Sequence, residues 1–208
     1  MAKAFAIQDS FHVNTETVFS ILAGIGLAAA CGFRVFVPLL VLSIASLSGH
    51  VTLGTHFQWI GTYPALIAFS VATVVEILGY YIPWVDHLLD MIASPAAVIA
   101  GIIVSASVMG NLDPFLRWTL AVIAGGGISG LIQGGTVFTR AASTTTSGGL
   151  ANPLVATGEL ILSVLTSILA LVMPILVLLV LAVLAVFFGR KLWKRSHPAG
   201  PAPKPVQG

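Results

Sequence analysis

Gly134-Gly135-Thr136-Val137-Phe138-Thr139-Arg140, then Ser143-Thr144-Thr145-Thr146-Ser147-Gly148-Gly149, then Asn152-Pro153 and Glu159 make a polar stretch inside an otherwise apolar chain. Read as sequence, it is a helix broken around a polar site. Non-helical backbone at membrane depth is tolerated only where protein buries it or where it lines a wet cavity, and an ionisable residue there is a functional suspect by default. The stretch therefore sets two expectations. The rest of the chain is a membrane scaffold, and Arg140, Ser143, Thr144, Thr145 and Glu159 belong to a solute site.

Composition agrees with the scaffold. Of 208 residues, 57% are hydrophobic and 8% charged, with a mean hydropathy of +1.03, whereas an average soluble domain carries roughly 25% charged residues. The expected fold is an all-α integral membrane protein. At about 20 apolar residues per span the chain holds about six transmembrane helices in one domain, residues 18–190. An N-terminal segment, 1–17, precedes it, and the basic, Pro-rich tail, 191–208, is expected to be disordered. The net charge of +2 gives no argument for nucleic acid, and the single Cys31 cannot form an internal disulfide. Ala28-Ala29-Ala30-Cys31 resembles a lipoprotein cleavage box. Only Lys3 precedes it as a basic residue, opposed by Asp9 and Glu16, so the segment from Val18 is read as a first membrane helix.

That first apolar run reaches Ser48, about 46 Å at 1.5 Å per residue, which exceeds a hydrocarbon core of about 30 Å. An interruption is expected between Cys31 and Pro38, with Arg34 turned away from lipid. A second span, Tyr63 to Trp84, carries Glu76. Positions 76, 80, 83, 87 and 90 repeat at helical spacing, so Glu76, Tyr80, His87 and Asp90 form one polar stripe if the helix survives Pro83. Asp86, His87 and Asp90 are either a proton or cation relay or a solvated connector. No metal-ligand signature accompanies His50 and His56, and no metal or cofactor is expected.

Ser94-Pro95 is read as a helix start, serine capping and proline in the first turn. Gly125-Gly126-Gly127 and Gly130 read as close helix packing, as do the small residues from Ala23 to Ala30. Pro153 to Phe188 is about 54 Å as one helix. It is either split at Met173-Pro174 or kinked there. Arg190, Lys191, Lys194 and Arg195 place the C-terminal end in the cytoplasm, and Lys3 places the N-terminus on the same side if there are six spans.

The two halves share an order of features. Ala23-Gly24-Ile25-Gly26-Leu27 is matched by Ala124-Gly125-Gly126-Gly127-Ile128, Arg34 by Arg140, Pro64 with Glu76 by Pro153 with Glu159, and Pro95 by Pro174. Two inverted three-helix repeats, 18–109 and 115–190, would place a site near the membrane midplane, built from interrupted first helices.

The segment Gly26 to Leu40, GLAAACGFRVFVPLL, the Gly-rich helix and the Ser147-Gly148-Gly149-Leu150-Ala151-Asn152-Pro153 run together resemble a family of small bacterial membrane proteins, domain of unknown function 4126. The resemblance covers nearly all of the chain except its ends. It implies a bacterial cytoplasmic membrane protein and transfers no catalytic residue.

Two functions follow from the residues themselves. In a secondary transporter or flippase-like carrier, Arg34 and Arg140 hold a small anionic or proton-coupled solute while Glu76 and Glu159 titrate or neutralise them. In a structural or partner-binding membrane protein, such as a homo-oligomer, the same charges only pair with each other. The hydroxyl-rich break favours the carrier. Enzyme signatures of the HExxH or GxSxG kind are absent from the sequence.

Overall fold

Pro38 decides the first structural event. Its ring conflicts with a helical Arg34 carbonyl, and its missing N–H costs nothing in a first turn. Accordingly α1 (Thr15–Phe33) stops at Arg34, and α2 (Phe36–Leu47) restarts with Pro38 in its first turn. A computed structural model describes residues 15–82 and 85–196, without the side chains of 87, 184, 185, 188, 189 and 191–196. Lys3, Pro83, the His87, Lys191, Lys194 and Arg195 side chains and the tail after 196 fall outside the described residues. After a short 3-10 helix, Thr55–Gly61, come α3 (Tyr63–Gly79), α4 (Val85–Val108) and α5 (Pro114–Leu120). A π-turn, Ala121–Gly126, joins α5 to α6 (Gly127–Ser147), and α7 (Asn152–Val172) and α8 (Pro174–Ser196) complete the chain.

Four helices are long and apolar enough to cross a membrane, or up to five if the 3-10 helix and α3, bent by 63°, count as one span. Together with the exposed Leu, Ile, Val and Phe side chains on their outer faces, they define an all-helical membrane protein among the described residues.

Neighbours fix the direction of each helix. Gly24 on α1 lies against Ser105 on α4 and Met109 just after it, and Gly54 donates its N–H to Ser107 O at 2.8 Å. Gly61 lies against Ser46 on α2. The far ends of α1 and α2 thus sit at one end of the bundle, with the 48–62 connector and the last turn of α4. Arg34 and Val35 sit towards the other end, where Glu76 receives the Val35 N–H. The first apolar run is a helical hairpin and does not pass straight through. At 12 residues, α2 is about 18 Å long, too short to cross on its own.

Small residues make the core. A Cβ on Gly26 would come within 2.8 Å of the Ala170 Cβ, and one on Gly32 within 2.6 Å of the Ile132 Cβ. Gly125 and Gly126 likewise approach Ser105 and Ile102 on α4, as packing through small residues in lipid requires. Around them Leu27, Ala28, Ala29, Ala30, Ala97 and Val104 are fully buried.

Four sequence expectations are corrected. The polar stretch is not a break: α6 runs on through Arg140 to Ser147. Its hydroxyls bond inside their own helix, Thr136 to Gln133 O, Thr139 to Gly135 O, Thr145 and Thr146 to Ala142 O, and Ser147 to Ser143 O, so they need no unwound backbone. The helix ends only at Gly148 and Gly149, at φ 63° and 88°, a left-handed conformation that glycine adopts without Cβ strain. Ser94-Pro95 does not start a helix. Ser94 Oγ bonds back to Asp90 O, and α4 runs through Pro95 because Ala93 and Ala97 are packed into the core on either side. The stripe from Glu76 to Asp90 is not one helical face, since α3 ends at Gly79 and α4 begins at Val85. Finally, α1 and α6 run the same way: Gly24 and Gly125 both meet Ser105, and Gly32 meets Ser129 and Ile132. Those contacts give a parallel pair, not the inverted relation expected of the two Gly-rich helices. By contrast, the split at Met173-Pro174 holds, with Met173 at φ −139° and ψ 64° between α7 and α8.

The hairpin has a direct test. Thr15→Cys and Ser48→Cys, both at exposed positions, are expected to react with a membrane-impermeant maleimide from the same side of the membrane. The buried Cys31 supplies a silent background. Labelling from opposite sides would show that α1 and α2 form one crossing.

Candidate functional site

The break between α1 and α2 exposes backbone N–H groups that no helical carbonyl can reach. Glu76, three residues before the end of α3, answers them: Oε1 accepts Val35 N–H at 2.8 Å and Oε2 accepts Phe36 N–H at 3.1 Å. A carboxylate at a helix N-terminus is favoured by the positive end of the helix dipole as well as by the hydrogen bonds. Glu76 is thus a cap supplied from another helix. It is 5% exposed.

Arg34, released from helical geometry by the break, points into the bundle and is 2% exposed. Its Nη2 donates to Ala156 O at 2.8 Å and lies 3.5 Å from Glu159 Oε2. Arg140 arrives from α6. Its Nε donates to Glu159 Oε1 at 3.2 Å, its Nη2 pairs with Glu159 Oε2, and its Nη1 pairs with Asp90 Oδ1 at 2.9 Å. Glu159 therefore bridges both arginines, and the fork of Arg140 holds it through two oxygens.

Tyr80, the residue that closes α3, completes the arrangement. The Arg34 and Arg140 guanidinium carbons lie 3.9 and 3.8 Å from the centre of its ring. One ring thus spaces two like charges and offers each an electron-rich face, worth about 0.5–2 kcal/mol per contact.

Beside this cluster lies a cavity of about 280 Å³. Its polar wall is Asp86, Asp90, Ser94, Arg140, Thr144 and Asn152, and its apolar wall is Met91, Val137 and Ala141. Asn152 Nδ2 donates to Asp86 Oδ2 at 3.0 Å and to Thr144 Oγ1 at 3.1 Å, tying the start of α7 to α4 and α6. The Asp90 side chain is 16% exposed against 6% for Arg140 and Glu159, so it stands at the accessible edge.

Of the residues singled out in the sequence, Arg34, Glu76, Arg140 and Glu159 converge, and Asp86 and Asp90 join them. Thr144 reaches the cavity wall. Ser143 is half-buried with its Oγ unpartnered, and Thr145 is exposed and spent on Ala142 O. The role of the His87 side chain falls outside the described residues. The cluster also lies nearer one end of the bundle than its middle: Arg140 and Glu159 are about 10 Å, along their helices, from the ends at Ser147 and Asn152. Sequence reasoning missed the ring of Tyr80 as a spacer and Asn152 as a link. The i+4 step from Glu76 to Tyr80 was the available signal for the first.

Fold and site together define a polytopic helical membrane protein built around a buried arginine and carboxylate cluster. The family described as domain of unknown function (DUF4126) matches residues 21–194, and the chain belongs to it. No curated protein and no solved structure is significantly similar to the chain.

Removing Glu76 tests the cap. Glu76→Ala strands two buried N–H groups, at about 1–3 kcal/mol each, and is expected to lower the thermal unfolding midpoint sharply in detergent. Glu76→Gln keeps one acceptor and should lose about half as much. Equal midpoints for Glu76→Ala and the native protein would remove the capping role.

Proposed function

We propose that this protein is a proton-coupled secondary carrier whose solute site is the cavity beside Arg140. The observation that supports it most is the cavity itself. A cluster that served only to neutralise its own charges would be expected to close on itself, yet this one leaves a wall of two aspartates, one arginine, an amide and two hydroxyls around open volume. Among the described residues the cluster carries two guanidiniums, Arg34 and Arg140, which cannot be deprotonated, and four carboxyls, Glu76, Glu159, Asp86 and Asp90. An isolated charge at membrane depth costs about 2.5–3.5 kcal/mol on insertion scales, so a carboxyl of this cluster that gave up its partner during a transport cycle would take up a proton. A small anion, the other solute class that the arginines invite, would find Arg140 already held by Glu159 and Asp90.

In this reading Asp90, at the accessible edge, exchanges protons or solute, and Glu76 holds the hinge between α1 and α2. Five crossings are then counted: the 3-10 helix with α3, then α4, α5 with α6, α7 and α8. This count takes α1, itself long enough to cross, with α2 as a hairpin that returns to its starting side, and it adds α8, whose Pro174–Val183 part is a shorter apolar helix. The basic residues after Phe188 support a cytoplasmic C-terminal end for α8, and with it a cluster nearer that face. The N-terminus is then on the opposite face, where six spans would have put it on the same one.

Proteoliposomes enclosing the pH-sensitive dye pyranine test the proposal. The native protein is expected to relax an imposed pH gradient at least several-fold faster than empty vesicles, and Asp90→Asn is expected to abolish the difference. Relaxation equal to that of empty vesicles, across a panel of added amines and organic anions, would leave the charges with a structural role alone.

A further inference from the structure

We infer that the Arg117 guanidinium, at the end of the bundle away from the charge cluster, binds the phosphodiester of a membrane phospholipid. Such a site stands apart from the cavity and from the carrier reading. Arg34 and Arg140 are buried against carboxylates. Arg117 is the third arginine buried among the described residues, at 7% exposed, and there its side chain has neither a hydrogen bond nor an ion pair. Its Nε is shut away from the outside without an acceptor, whereas Nη1 and Nη2, equally without acceptors, are not enclosed. A guanidinium is all donor, five N–H groups in a fixed fork with a permanent charge, so this one asks for an anion from outside the chain. Glu16 and Asp113 lie towards the same end, but both are exposed and neither pairs with it, and Asp113 Oδ1 accepts the Phe115 N–H at 2.9 Å.

The fold holds the fork in place. The Arg117 N–H reaches Asp113 O at 2.8 Å inside α5, and Nη1 lies 3.6 Å from where a Cβ on Gly54 would stand, so the side chain runs from α5 to the 48–62 connector. Phe57 does not neutralise it: the ring centre is 6.0 Å from the guanidinium carbon, at the outer limit of a cation–π contact. The kind of anion follows from depth. Trp59, Tyr63, Phe115 and Trp118 are all exposed at this end, and Trp and Tyr collect where the bilayer carries its headgroups. The phosphate of a headgroup lies at that level, and its oxygens suit two N–H groups of a planar fork. Phe115 and Leu116, exposed beside Arg117, meet the acyl chains of the same lipid, a contact that a free phosphate lacks.

Native mass spectrometry of the delipidated full-length protein in detergent tests this with three probes. They are dioctanoylphosphatidylglycerol, dioctanoylglycerol, which has the same chains without the phosphate, and dimethyl phosphate, which has the phosphate without the chains. One saturable site is expected for the phospholipid, at least ten-fold tighter than for either other probe. Arg117→Met removes the charge and strips no protein group of a partner, so its unfolding midpoint without lipid should stay within a few degrees of the native value while affinity at that site falls ten-fold or more. A phosphatidylglycerol with a diazirine on its headgroup locates the site in the native protein, whether or not Arg117→Met folds, with crosslinks expected at residues 54–57 and 114–118. Equal binding of dioctanoylglycerol would show an apolar face and no phosphate site, and equal binding of dimethyl phosphate a site for soluble anions. Either result, unchanged affinity in Arg117→Met, or crosslinks spread over the outer faces of the bundle would overturn the inference.

Discussion

Two arginines cannot be placed inside an apolar bundle unless something accepts their hydrogen bonds and keeps their charges apart. Here one carboxylate and one ring do both. Glu159 bridges Arg34 and Arg140, and Tyr80 lies between the two guanidiniums. Neither charge could be neutralised by losing a proton, so removal of Glu159 would leave an uncompensated buried cation. The helices that carry these residues, α3, α6, α7 and the turn after α1, are held in register by that requirement.

The second constraint is the break itself. The break ahead of Pro38 frees the backbone N–H groups of Val35 and Phe36, and Glu76 satisfies them from another helix. A broken helix is affordable in a membrane only when its polar groups find partners in the protein. The same event that opens α1 also releases Arg34 to turn inward, so the cap and the charge cluster are two consequences of one proline. Close packing lets them meet: with Gly32 against Ile132 and Gly26 against Ala170, α1 lies deep between α6 and α7, and the Ser163 hydroxyl reaches Ala30 O at 3.0 Å.

On the other side of the cluster, Asn152 and Thr144 hold α7, α6 and α4 around a cavity that the ion pairs do not fill. A buried polar network with every member satisfied would rigidify a bundle. The one here borders open volume, with Asp90 at its edge. That contrast carries the carrier reading, and the family, whose description names no activity, neither adds to it nor subtracts from it.

Membrane character, the helical class, the interruption at Arg34, the split at Met173-Pro174 and the convergence of four distant charges were all legible in the sequence. Each depends on local chemistry or on the high cost of a lone charge in lipid, and these act wherever the chain happens to lie. The sequence misjudged Ser94-Pro95 and the run from Gly134 to Ser147, where cap-forming and turn-forming residues sit inside continuous helices. Propensity there was overridden: hydroxyls bond to their own helix, and both segments stay helical throughout. Direction was beyond it as well. Whether the segment after Arg34 continues onward or turns back depends on what receives the freed N–H groups of Val35 and Phe36, and that partner, Glu76, is some forty residues away in the chain. Local sequence determined where the helix had to stop, but only the tertiary structure decided which way it went next, because the hydrogen bonds that fix the turn come from another helix.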